Sequence, residues 1–213
     1  MADDFKLDPR LSKLEASVLR NRKTSPLRFS VAALELAIIR LSAVTSVSGR
    51  ALSLEERRIV ADVFGSSVNA ERVRITEARI LNSPTVLGNQ IRVAPGWDFA
   101  GPRRTVLVHE FMHIWQYQTQ GTRYISDSVY HNVRGYLGTG TRNVAYMNYQ
   151  LRADSKISDF SAEEQATIVG DYFEITRIYG GATNAPPWIV LRSPDLPIYE
   201  RLMEQVRSAR PRV

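Results

Sequence analysis

The sequence predicts an α+β fold, mainly helical, with a small β-sheet beside one buried helix. Three observations carry that expectation. Two capping boxes, Ser53-Leu54-Glu55-Glu56 and Ser161-Ala162-Glu163-Glu164, each mark a helix start: the serine hydroxyl and the third-position carboxylate satisfy free amides of the first turn. Strand-like runs cluster in one region, residues 72–93. The segment RRTVLVHEFMHIWQYQ (103–118) contains no breaker and is apolar nearly all round, the pattern of an interior helix.

Taken in order, residues 10–23 and 30–44 read as helices, the second with Ser30 as N-cap. Together with the turn-like TSVSGR (45–50) they form an N-terminal helical extension, 1–50, ahead of a main domain at 51–213. The Ser53 box opens a helix that runs to about Phe64 and stops at Gly65. Arg72–Leu81 and Thr85–Val93 read as two strands joined by the turn Asn82-Ser83-Pro84. After helix 103–118 comes a Gly-, Asn- and Tyr-rich loop from Tyr124 to Asn148. The Ser161 box opens a helix through Ile178 that ends at Gly180-Gly181. Pro186-Pro187 reads as a rigid break, and Ser193-Pro194 as N-cap and first residue of a last helix to about Ala209.

At 213 residues the chain is long enough to bury a real core. With 44% hydrophobic and 23% charged residues it has the composition of a soluble globular protein. The absence of cysteine excludes disulfides, thiolate metal sites and cysteine nucleophiles, and leaves His and carboxylates as strong ligands. The first residues, MADDFKLDPR, lack the apolar core of a signal peptide. The most apolar run, Val31–Val44, is interrupted by Glu35 and Arg40 and is too short to span a bilayer. The expectation is a cytoplasmic protein, with export that needs no cleaved signal left open. Net charge is +6, yet Arg20, Arg22, Lys23 and Arg28 are the only loose basic cluster, so nucleic acid is not the expected partner.

The chemistry concentrates in His109-Glu110-Phe111-Met112-His113, an HExxH motif. Residues four apart share a helix face, so both imidazoles can approach one Zn²⁺. Glu110, beside the first ligand, is placed to take a proton from water activated there. Two histidines and a glutamate on an otherwise apolar helix are costly to bury unless paired or metal-bound. A catalytic zinc site wants a third protein ligand. Glu163 is favoured over His131, the sole remaining histidine, because the third-position Glu164 turns back to its own cap and leaves Glu163 free. Glu163, Ala166, Gly170 and Phe173 share one face, and its small residues suit close packing against the histidine helix. Asp171 is a candidate to orient a ligand histidine, and Tyr146 and Tyr149 are candidates to assist an oxyanion.

These residues carry a family resemblance. VLVHEFMHIWQYQTQG resembles the zinc-binding helix of small bacterial "vgr related" proteins and of metallopeptidase-like domains linked to Rhs and contractile-injection genes. TVLGNQI (85–91), FSAEEQATIVGDYF (160–173) and the segment 64–75 are similar to the same group, so the likeness covers about residues 52–180. It implies a zincin-like domain of the gluzincin kind, with His109, His113 and Glu163 on zinc and Glu110 catalytic, and an association with type VI or related secretion. The family's ExxA[DE] pattern is met by Glu163 and Ala166, whereas Thr167 stands in place of the acid.

The expected function is zinc-dependent hydrolysis, with an extended peptide lying along the strand 85–93 as substrate. One alternative is a zinc amidase acting on cell-wall peptides. Another is a non-enzymatic adaptor in which zinc staples the fold.

Overall fold

The computed structural model describes residues 49–77, 84–121, 149–180 and 185–212. The expected helices at 10–23 and 30–44, and with them nearly all of the extension 1–50, lie outside the described residues, as do Asn82-Ser83, His131 and Tyr146.

Five α-helices are described: α1 (Leu54–Phe64), α2 (Arg104–Gln120), α3 (Ala162–Phe173), α4 (Pro187–Arg192) and α5 (Leu196–Ser208). A three-stranded sheet, in the order β1-β3-β2, is built from β1 (Arg74–Glu77), β2 (Thr85–Leu87) and β3 (Gln90–Val93). The α+β, mainly helical expectation holds for the described residues.

α2 is the centre. Leu107, Val108, Phe111, Met112 and Ile114 are fully buried, so its apolar side chains contribute roughly 1.5–3 kcal/mol each. Along one flank lies α3, where small residues permit close approach: a Cβ on Gly170 would meet Thr105 Cγ2 at 3.4 Å. α1 packs on α2 through Phe64 and Phe111, whose ring centroids are 6.3 Å apart. α5 is pinned where the Trp115 indole N–H donates to the Val206 carbonyl at 3.0 Å. The sheet touches α2 through β2. Gln118, fully buried, accepts from the Asn69 amide and donates to the Asn89 side chain, tying the sheet side to the helix.

Five local expectations need correction. Residues 85–93 form not one strand but a hairpin, Leu87 opposite Gln90 across the loop Gly88-Asn89. Gly88 has φ +63° and no other residue of the loop is left-handed, the pattern of a II′ turn. Among the described residues the first strand begins at Arg74, two residues later than expected, and pairs in parallel with β3, giving the sheet a mixed topology. At the C-terminal end, Pro187 opens the short helix α4 and does not simply break the chain. Ser193 caps nothing; its hydroxyl donates to the Ile189 carbonyl, and α5 starts after Asp195. The helix expected through Ile178 is α-helical to Phe173 and continues as one wider π-turn, Glu174–Ile178.

Candidate metal centre

Both capping boxes form as read. In α3 the Ser161 amide donates to the Glu164 carboxylate at 2.8 Å, which commits Glu164 to the cap. Glu163, one residue earlier, turns instead towards α2. One turn apart on that helix, His109 and His113 present rings with centroids 5.1 Å apart at 81°.

Glu163 Oε2 lies 3.5 Å from His109 Nε2 and 3.4 Å from His113 Nε2. One ligand atom from each of the three residues falls within 4.8 Å of the others. The two N···O separations exceed the range of about 2.7–3.2 Å for a good hydrogen bond. They match the edge of about 3.4 Å between ligands that sit about 2.1 Å from a tetrahedral cation. The donor set, two imidazole nitrogens and a carboxylate oxygen, fits a divalent metal ion.

Electrostatics fit the same picture. Burial disfavours charge on His113, but the facing Glu163 carboxylate outweighs it and pushes the imidazole up to about 9. Burial would likewise raise Glu163, yet polar contact with the two imidazoles wins and holds it well below the usual carboxylate range. Glu110 moves the opposite way: burial raises its carboxyl, the imidazoles oppose this, and the Glu163 charge adds to it.

Asp171 is brought near, within electrostatic reach of His109, and its carboxylate accepts from the Tyr149 hydroxyl. Burial raises the Asp171 carboxyl against the contrary pull of Tyr149 and Arg192. Tyr149 is a buried brace: its hydroxyl also meets Tyr199 at 2.6 Å, and the Arg192 guanidinium stacks 4.2 Å from its ring centre.

Two residues escaped the sequence reading. His113 Nδ1 lies 2.8 Å from Gln116 Oε1. The Gln116 amide group donates to the Ala162 carbonyl and to Gln165 Oε1, each at 2.9 Å. The available signal was spacing alone, since Gln116 follows His113 by three residues and so shares its face.

No family model matches the sequence. Over 148 residues, 64% of this chain, it is 27% identical to the type VI secretion system spike protein VgrG2b of Pseudomonas aeruginosa. The match spans only 14% of that protein's length. The solved effector domain of Pseudomonas aeruginosa VgrG2b superposes with a TM-score of 0.57 at 24% identity, covering 79% of this chain and 96% of that one. The chain shares that domain's fold. No helix among the described residues is long and apolar enough to cross a membrane.

Proposed function

We propose that this chain is a zinc-dependent hydrolase of amide bonds, with a zincin-like site in which His109, His113 and Glu163 hold the metal and Glu110 is the general base. The observation that carries the reading is the convergence of His109 Nε2 and His113 Nε2 on Glu163 Oε2, at 3.5 and 3.4 Å, with Glu110 buried alongside. Three protein ligands without thiolate are the composition of a catalytic rather than a structural zinc site.

Bound there, Zn²⁺ supplies a Lewis acid that polarises a carbonyl and brings the pKa of water to about 7. The chain's own residues do the rest. Glu110 accepts the proton of the attacking water and returns it to the leaving amine. Asp171, braced by Tyr149, adds negative charge beside His109. The substrate strand adds along β2, an outer strand of the sheet next to α2, in place of the single strand 85–93 expected from sequence.

The likeness to the VgrG2b effector domain supports delivery by a type VI or related secretion system. Cell-wall peptides are kept as a second substrate class. Incubation of the zinc-loaded chain with casein and with purified peptidoglycan, using Glu110→Ala as control, tests both. Cleavage of casein that Glu110→Ala abolishes is the expected result. Stoichiometric zinc with neither substrate cleaved would leave the metal as a staple and overturn the enzymatic reading.

A further inference from the structure

We infer that Gln116 is a positioning residue for the metal: it sets the tautomer of His113 and locks its ring to the turn of α3 that carries Glu163. The inference rests on the metal reading above and goes one layer beyond its ligands.

A chain of hydrogen bonds fixes the orientation of each amide. The Gln165 amide nitrogen donates to the Phe160 carbonyl at 2.8 Å, so the Gln165 oxygen must face the other way as an acceptor. Gln116 approaches that oxygen and the Ala162 carbonyl, two acceptors, and can meet both only with its own NH₂ group. The Gln116 oxygen is thereby turned towards His113 Nδ1, 2.8 Å away. Nδ1 must carry the hydrogen, which leaves Nε2, the atom facing Glu163, as the ligand nitrogen. Flipping the Gln116 amide would set oxygen against two oxygens in a buried site.

The anchors matter as much as the directions. Phe160 and Ala162 flank the Ser161 cap, and Ala162 precedes Glu163. Gln116 is 1% exposed and Gln165 7%, so water cannot readily substitute for either. One side chain therefore fixes the His113 ring and holds α2 against the first turn of α3, setting the relative position of two ligands at once. Orienting partners of this kind are typically worth roughly 10- to 100-fold in metal affinity.

The test is zinc affinity of the full chain, measured by chelator competition, for wild type, Gln116→Met and Gln116→Glu. Gln116→Met keeps the size and removes the acceptor, and should bind zinc roughly 10- to 100-fold more weakly. Gln116→Glu still accepts from Nδ1–H but has no hydrogen for Ala162 or Gln165; it should melt at lower temperature and lose less zinc affinity than Gln116→Met. A purely structural Gln116 would make the two variants lose affinity alike, or not at all, and either outcome overturns the inference. Should Gln116→Met fail to fold, imidazole ¹⁵N shifts of the zinc-loaded wild type decide: His113 protonated at Nδ1 is expected, and Nδ1 as the ligand nitrogen would overturn it. A wild type that binds no zinc would bring down the metal reading and this inference with it. A wild type that binds zinc beside an unchanged Gln116→Met would remove the inference alone.

Discussion

Two nearly identical tetrapeptides, Ser53-Leu54-Glu55-Glu56 and Ser161-Ala162-Glu163-Glu164, meet different fates in the same molecule. Each closes the same cap: the serine amide donates to the last glutamate at 2.7 Å in α1 and 2.8 Å in α3. Each sends its middle glutamate to α2. Glu55 reaches Arg104 at 2.5 Å with its side chain 60% exposed, whereas Glu163, 11% exposed, faces two imidazoles. The exposed pair is worth about 0.2–1 kcal/mol because water screens it. The buried carboxylate would be costly without a positive partner. The motif sets where a helix begins; burial, and what α2 presents opposite, decide whether its carboxylate joins a surface ion pair or faces two buried imidazoles.

The largest expected effect comes from neutralising the two middle glutamates in parallel. Glu163→Gln should weaken zinc binding by roughly 100-fold or more, since one of the three proposed ligands loses its charge. Glu55→Gln should leave zinc affinity unchanged in the same chelator titration. Equal losses would break the distinction between them.

Glu110→Gln sharpens the comparison from the other side, at a buried carboxylate that the proposed site uses as general base and not as ligand. Peptide hydrolysis should fall about 10²- to 10⁴-fold while zinc content stays that of wild type. Zinc lost together with activity would make Glu110 part of the binding set.

The caps come next. Ser53→Ala and Ser161→Ala should each lower stability by about 1 kcal/mol in urea denaturation. Only Ser161→Ala should also weaken zinc, several-fold, because fraying of that turn loosens Glu163. A matching zinc defect in Ser53→Ala would contradict the assignment.

The smallest effect is a pH dependence at the α1 box. Burial would raise the Glu56 carboxyl, but hydrogen bonds from Arg50 and from the Ser53 amide win, and it lies below its ordinary value. A carboxylate lowered in the folded state stabilises above its unfolded pKa, about 4.3, and that contribution fades as pH falls through the folded value. The gap in urea midpoint between wild type and Glu56→Gln should therefore be widest near neutrality and shrink below about pH 4. A gap independent of pH would assign the effect to shape alone.

Much of the site was legible because its signals are local. HExxH spacing puts His109 and His113 on one face, and the cap logic that commits Glu164 frees Glu163. Partners that depend on other elements left weaker traces. Gln116 and Gln165 are 49 residues apart and meet only because α2 and α3 pack side by side, and an amide carries no charge or motif to announce itself. The hairpin at Gly88-Asn89 hid inside a run of strand formers that reads as continuous. The parallel pairing of β1 with β3 is tertiary information that no local pattern holds. Ser193-Pro194 imitates a helix start, yet the hydroxyl is drawn back to Ile189 by the short helix before it.

Metal analysis of the full chain, purified without chelator and again after zinc is offered and excess removed, addresses the site most directly. About one zinc per chain in wild type, and none retained by the double variant His109→Ala/His113→Ala, is the result that three converging ligand atoms require. Folded wild-type protein that retains no divalent metal under either condition would contradict it.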